Sequence, residues 1–503
     1  VSTADLTPVL QGVLAAATTN ADTGEQLAEA DFSALAAPGE YWIEVPGVGA
    51  SAPFRVANDV YREPFLLVTR GMYLWRCGTA VSGEHDGETF AHPACHAADA
   101  WLDHATGEHA QRPSVGGWHD AGDYNKYVAN AGVTVGCMLR AWEDFQPQIE
   151  PIELGLPEAG GPVPEFLAEV KWELDWLLTM QADDGSVYHK VSTADYGGMI
   201  PPDAELVPRY FGPWNTTATA SFVAMTAQAS RHVRPYDAAY ADRLLAAARK
   251  SYDFLATHPE LHRASQEGFT TGGYESGDAD DRLWAAAELW EATGETNFLV
   301  DLEARLTAAG RGRSPRRDET TAQFDVDFDW GNVKNLALLT YLSSRRDGRS
   351  PELVDRLRDS LRAAADEIVA AAAAHGYARP LGSRYYWGCH GSVARQALVL
   401  EAAARMTGDA AYRAVQLDAL NHLLGRNVYG RSFVTGLGAL PPRQPHDRRS
   451  IGDAVEAPWP GYLVGGPHPR AASWQDDAED FRTNEIAINW NAALIYALAA
   501  QLN

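Results

Sequence analysis

The chain has 503 residues, and 41 Lys and Arg against 67 Asp and Glu leave a formal net charge of −26. That excess of negative charge excludes nucleic acid as an expected partner, and no run of about 18 or more uncharged apolar residues is present to span a membrane. With 46% hydrophobic and 21% charged residues the chain is globular, not disordered.

Residues 1–57 read as a small β module. Glu40-Tyr-Trp-Ile-Glu-Val-Pro alternates polar and apolar side chains, Ala50-Ser-Ala-Pro-Phe-Arg-Val follows suit, and Asn20 to Gly24 and Pro38-Gly39 are turn signals. The segment is short for a sandwich, which needs about seven strands. From residue 58 the period becomes helical. Apolar residues recur at helical spacing over 64–72, 132–145, 164–181, 216–231, 240–257, 281–293, 333–343, 351–374, 392–406, 411–424 and 491–501. Gly- and Pro-rich loops separate them, and no strong strand alternation intervenes. The expectation is a large all-α domain over 58–503, with paired helices and function carried by long loops. Fifteen Trp either fill its core or line a site that stacks on flat ligands such as sugars.

Five segments carry chemistry. Cys77, Cys95, His96 and His119 are the ligand types of a closed tetrahedral zinc site, although the spacing is not that of a finger. A Cys77–Cys95 disulfide beside two unrelated His residues is the alternative. The run Gly116-Gly-Trp-His-Asp-Ala-Gly-Asp sets Asp120 and Asp123 three apart around Gly122. Neighbouring carboxylates push their pKa values apart, which suits a base and its partner, while helix capping is the plainer reading. Thr271-Gly-Gly-Tyr-Glu-Ser-Gly-Asp-Ala-Asp-Asp is rich in hard oxygen ligands and suits Ca²⁺, with capping by Asp280 as the alternative. Arg426 to Arg449 is a polar loop that groups His446, Arg448 and Arg449 beside aromatics. Glu485 stands where a polar loop enters the apolar helix start Ile486, Ile488, Trp490. Apolar neighbours raise a carboxyl's pKa, as a general acid requires, whereas a first-turn Glu also suits the helix dipole.

In order and spacing these motifs resemble glycoside hydrolase family 9, the cellulase family with an (α/α)6 barrel, and within it the branch carrying an immunoglobulin-like module in front. The resemblance covers nearly the whole chain. It implies Asp123 as catalytic base, Asp120 as the second carboxylate on the nucleophilic water and Glu485 as general acid. It also implies Asp476 as support for the acid region, and His446, Arg448 and Trp387 as sugar contacts, with Trp490, where the family commonly has Tyr, as a further candidate for the sugar-binding surface. Cys77, Cys95, His96 and His119 are then zinc ligands that staple a loop. Ser276, Asp280 and Asp281, with Asp329 chosen over Asp327, are calcium ligands. The family mechanism inverts the anomeric centre, so the two carboxyls are expected roughly 6.5–9.5 Å apart.

The chain departs from the family pattern in places. The β module starts late and is expected to be reduced or truncated, resting on the barrel for its stability. Cys389-His390 replaces the usual pair after Trp387-Gly388, which predicts an altered sugar subsite at His390. Asn489 replaces the usual Asp after the acid.

The expected activity is endo-cleavage of β-1,4-glucosidic bonds in cellulose or a related β-glucan. Exo-action on glucose or glucosamine chains, a non-catalytic carbohydrate binder, and a metal-dependent hydrolase using the Cys/His group are the competing readings. Retention of all three carboxylates opposes the binder, and a closed ligand set opposes the metallohydrolase. A secreted monomer is expected, although no leader is visible in the chain.

Overall fold

The computed structural model describes residues 1–307 and 322–503. Its helices run α1 (Arg62–Leu74), α2 (Asp103–Thr106), α3 (Val128–Ile149), α4 (Glu165–Met180), α5 (Thr216–Val233), α6 (Ala238–Thr257), α7 (Ala279–Thr293) and α8 (Thr296–Thr307). They continue with α9 (Lys334–Ser343), α10 (Pro351–Ala374), α11 (Cys389–Thr407), α12 (Ala410–Leu424), α13 (Arg448–Gly452), α14 (Phe481–Asn484) and α15 (Ile488–Ala499). Three of these, α2, α13 and α14, are single turns within loops.

The other twelve sort by burial into two rings. In α3, α5, α7, α9, α11 and α15 nearly every side chain is buried, whichever face it occupies. A helix covered all round belongs to the inside of a large protein. The helices α3, α5, α7 and α9 pack in succession, and α11 and α15 lead back to α3. Outside them lie α1, α4, α6, α8, α10 and α12, each against inner neighbours. In α10 the buried set Leu353, Leu357, Leu361, Ala364, Ala365, Ile368 and Ala372 forms one stripe. Pro351 and the Ser350 cap, which accepts a hydrogen bond from Leu353 N–H, start that helix. This is the (α/α)6 barrel.

Small residues let the inner helices close. A Cβ on Gly136 would stand 2.7 Å from Leu336 and 2.9 Å from the Trp284 ring, so only glycine admits that packing. Trp142, Trp176, Trp284 and Trp290 are fully buried among these helices, which assigns much of the Trp excess to the core.

All eleven predicted helical stretches are helices. The twelfth, α8, was not predicted, although Phe298, Leu299, Leu302 and Leu306 form its buried stripe. It begins two residues after Gly294, the left-handed stop of α7, and reads as more loop. Strands do interrupt the helices, contrary to expectation. Val81–His85 pairs antiparallel with Glu88–His92, closed by Asp86 at φ 50° and Gly87 at φ 83°. Both central residues with positive φ make the tight turn that Asp-Gly favours. A five-stranded sheet of short strands, ordered 111–112, 100–101, 209–211, 190–193 and 126–127, braces the loop behind Asp123.

In residues 1–57 the pairs are Thr18–Thr19 with Gln26–Leu27, Gly39–Tyr41 with Phe54–Val56, and Glu44–Val45 with Gly49–Ala50. Little of this segment is buried beyond Asn20 and Tyr41. Asp22 fastens it to the barrel, accepting hydrogen bonds from Ser383 Oγ at 2.6 Å and Tyr385 OH at 2.7 Å, with His375 Nε2 at 3.1 Å.

Candidate active site

Successive inner helices run the same way, because an outer helix carries the chain back between them. The loops that precede them therefore gather at one end of the barrel. Asp120 and Asp123 precede α3, Tyr274 precedes α7, Asp329 and Trp330 precede α9, Trp387 precedes α11 and Glu485 precedes α15. Together they line a cleft of about 740 Å³ with Tyr127, Tyr196, His446, Arg448, Phe481, Asn489 and Trp490.

Backbone hydrogen bonds weave three distant segments into its floor. Ala121 bridges to Ala487 and His446 to Glu485. Ile488 N–H donates to Asp120 O at 3.0 Å, Arg448 N–H to Gly122 O at 3.0 Å and His446 N–H to Asn484 O at 2.9 Å. The contact at Gly122 leaves no room for a side chain: a Cβ there would lie 2.2 Å from His446 O.

The three carboxylates differ in their partners. Asp120 accepts from Asn130 Nδ2 at 2.8 Å and from Tyr274 OH at 2.6 Å. Tyr274 reaches it from φ 43°, a left-handed conformation uncommon for a bulky residue and typical of strained functional positions. Burial, and then the charge of Asp123, push Asp120 up to about 8. Asp123 accepts from Asn125 Nδ2 at 2.7 Å with Oδ2, while its buried Oδ1 has no hydrogen-bond partner. Burial raises Asp123 too, opposed by the Arg448 guanidinium and the Asn125 hydrogen bond. Burial, then Asp123 and Asp120, hold Glu485 well above the usual carboxylate range. Arg448 opposes the rise of both Asp123 and Glu485, but for Asp123 it is the largest opposing cause, whereas Asp123 and Asp120 press Glu485 further toward protonation.

The remaining predicted sugar contacts fall into two sets. His446, Arg448, Trp387 and Trp490 reach the cleft. Trp387 is 48% exposed and stands edge-on to Phe481 at 5.4 Å, whereas Trp490 is 6% exposed and forms its base. His446 donates from Nδ1 to Ala478 O at 2.6 Å, which fixes its ring. The described lining does not include Asp476. Its carboxylate clamps the loop, accepting from Arg443 N–H, Gln444 N–H and Arg431 Nη2, beside Asn484. His390 corrects the subsite prediction: it is wholly buried, donates from Nδ1 to Val464 O at 3.0 Å and packs on Phe433. Asn489 is a lining residue and donates to Asp329 Oδ1 at 2.7 Å.

Cys77, Cys95, His96 and His119 converge, with one ligand atom of each within 4.8 Å of the others, and form the one such group among the described residues. The cysteines are not bridged, so the disulfide alternative falls. The Nδ1 atoms of His96 and His119 are buried without partners, and Cys95 Sγ lies 3.8 Å from His119 Nε2. Burial opposes the Cys77 thiolate, but Cys95, Lys126 and His119 outweigh it and hold its pKa well below the thiol range. Burial also drives His119 down to about 3, keeping it neutral. A thiolate and a neutral imidazole are what a zinc ion binds, so the residues fit.

The oxygen loop before α7 is less complete. Ser276 Oγ and Asp281 Oδ2 are buried without partners. Burial, and then Asp280, push Asp281 well up, and Asp280 itself rises to about 6. Asp329 does not join them. Its carboxylate is instead engaged by the buried Arg395 guanidinium at 2.9 Å and lines the cleft. The same segment offers Asp325, which pairs with Lys334 at 3.0 Å.

Sequence reasoning missed Tyr127, Tyr196, Tyr274, Trp330 and Phe481. Tyr274 lies within the oxygen-rich loop and Trp330 follows Asp329, but an aromatic in a loop carries no signal of where it points. Glu205, near the metal group, gave none either.

Three comparisons bear on this arrangement. The family model described as glycosyl hydrolase family 9 matches residues 61–498, and that of the cellulase N-terminal ig-like domain matches residues 1–50. The chain is 50% identical over 485 residues to endoglucanase D of Acetivibrio thermocellus, spanning 96% of this chain and 76% of that protein. A crystal structure of a metagenome-derived glycoside hydrolase family 9 endoglucanase superposes with a TM-score of 0.92 at 33% identity, covering 100% of this chain and 92% of the other. A zinc-binding triple mutant of the family 9 endoglucanase J30 gives 0.89 at 33% identity, covering 98% and 94%.

Proposed function

The chain belongs to glycosyl hydrolase family 9 and is a glycoside hydrolase, and from that premise we propose that it cleaves β-1,4-glucosidic bonds within glucan chains, with inversion. The observation that carries this is the unpartnered, buried Oδ1 of Asp123 in a cleft shared with Glu485, which is pressed toward protonation. Asp123 takes a proton from water through that oxygen, while its other oxygen is held by Asn125. Asp120, tied by Asn130 and Tyr274, is the second acceptor for the same water. Glu485 gives its proton to the leaving glycosidic oxygen. Arg448 and His446 orient the sugar beside the reacting bond, and Trp387 with Phe481 stacks on a neighbouring ring. Aromatics from several loops line the cleft, which supports binding of several sugar units and internal cleavage.

Cys77, Cys95, His96 and His119 would hold a zinc ion, which would cross-link the loop that leads into Asp120 and, closed by four protein ligands, would supply no hydrolytic chemistry. Calcium bound by Ser276, Asp280 and Asp281 would relieve the repulsion between the two carboxylates and partner Ser276 Oγ and Asp281 Oδ2. Residues 1–57 and 58–503 are the two units of the chain, and action on a polysaccharide implies export.

The test is Glu485→Gln and Asp123→Asn against wild type on carboxymethylcellulose, mixed-linkage glucan and chitosan oligosaccharides, with product length and anomeric form recorded. Each substitution should lower kcat by about 10²–10⁴-fold with KM little changed. Wild-type products should be short and of inverted configuration. Retained configuration, or a fully active Glu485→Gln, overturns the mechanism, and release of single units from chain ends overturns the endo reading. Because Glu485 is raised, the alkaline limb of the wild-type kcat/KM profile should lie above the ordinary Glu range.

A further inference from the structure

Glu205 stands between the metal group and the cleft. It follows the turn Pro202–Ala204 and its side chain is 2% exposed. Its Oε2 lies 3.2 Å from His96 Nε2, and its Oε1 accepts from Arg448 Nη1 at 3.1 Å. One buried carboxylate therefore meets a metal-group histidine on one side and a cleft arginine on the other. The approach is tight: a Cβ on Gly197 would lie 2.4 Å from Glu205 Oε1, so glycine there lets the loop close over the carboxylate. Tyr124 completes the contact. Its ring lies 5.6 Å from His96, 4.9 Å from His119 and 5.8 Å from the Arg448 guanidinium.

Two consequences follow from elementary chemistry. A hydrogen bond from His96 Nε2–H to Glu205 leaves the lone pair on Nδ1, which has no other partner, and so selects the tautomer that binds metal. The same carboxylate takes one guanidinium nitrogen of Arg448 and so sets which way the others point. Resting on the reading of the cleft as a glycosidase site, we propose that Glu205 is a positioning residue that couples the Cys/His metal site to sugar binding, by orienting His96 and Arg448 at once.

The test compares wild type, Glu205→Gln, His96→Ala and the double variant, with circular dichroism checking the fold. Zinc retention is read by competition with EDTA and a chromogenic zinc dye, and kcat and KM are measured on carboxymethylcellulose. Glutamine is isosteric but cannot accept on both arms. Glu205→Gln should lose zinc about 10–100-fold more readily, the usual effect of an outer-shell change. It should also raise KM several-fold more than it lowers kcat. His96→Ala should raise KM by a similar factor, and the double variant should be little worse than either single one. Wild-type zinc retention in Glu205→Gln overturns the proposal, as does zinc loss without a rise in KM or a double variant whose KM effects multiply. If wild type fails to hydrolyse the glucan, the reading of the cleft falls, and zinc retention in Glu205→Gln alone decides the role of Glu205.

Discussion

At the scale of single residues, the site works by giving similar groups different surroundings. Asp120 and Asp123 are buried and Glu485 is partly buried, but only Asp123 has a buried oxygen without a partner and a cation as the strongest group opposing its rise. Such an arrangement strains the folded state. Asp120 has a pKa of about 8 when folded against an ordinary value of 3.8. A raised carboxyl contributes stability that is whole below its unfolded pKa and lost as pH climbs through the folded one. Asp120→Asn, which needs no charge, should therefore raise Tm at pH 7 by about 1–3 °C, and the gain should fade as the pH falls towards 4. Equal Tm shifts at both pH values, by scanning calorimetry, would refute the assignment. These differences were not legible in the sequence. Spacing named the carboxylates, but their protonation depends on Tyr274, Asn130 and Arg448, which lie far along the chain or point unpredictably.

At the scale of elements, the helices set the loops and the loops set the chemistry. Apolar periodicity predicted eleven of the twelve barrel helices because each buries a stripe or a whole surface, and that requirement writes itself locally. The hairpin over 81–92 was not predicted, although Asp86-Gly87 is a dipeptide that favours a tight turn. The pairing of Ala121 with Ala487 and of His446 with Glu485 was not legible, because strand-like bridges between loops leave no period. The crossing depends on Gly122. Gly122→Ala would force His446 O out of a 2.2 Å contact, and no flexible tip can yield there. Activity should fall by about 10²-fold or more, the scale expected when reacting groups move by about 1 Å. Far-UV circular dichroism should stay helical, because the barrel helices do not use this contact. Wild-type kcat in the alanine variant would show that the weave is dispensable.

At the scale of the whole molecule, the N-terminal segment leans on the barrel. Asp22 is 12% exposed and collects Ser383, Tyr385 and His375. Burial alone would raise its pKa, but hydrogen bonds from Ser383 and Tyr385 outweigh it and lower it. The sign is opposite to that of Asp120: this stability is present above the unfolded pKa and is lost as pH falls through the folded one. Asp22→Ala should cost about 1–3 kcal/mol, the price of orphaning hydrogen bonds to a charged group. Limited proteolysis should then cut faster between residues 1 and 60 at pH 7, with the barrel intact. Unchanged cleavage would show that other contacts hold the segment. Tyr385 lies two residues before Trp387, so the docked segment braces the loop that carries an exposed cleft aromatic. No helix among the described residues is long and apolar enough to cross a membrane.

The sequence by itself determined the barrel helices, marked residues 1–57 as a β segment, and nominated Asp120, Asp123, Glu485 and the four Cys and His side chains as candidates. The helices and the β segment are encoded in neighbouring residues, as a period or a turn dipeptide, and the candidates by residue type within short motifs. Tertiary structure alone decided that Asp329 serves Arg395 and Asn489, that His390 is buried behind the cleft, that Asp476 clamps a loop, and that Glu205 joins two sites. In each case the deciding fact is a hydrogen bond or ion pair across scores of residues. Such a contact exists only when the barrel brings separate loops to one end, and no local pattern records it.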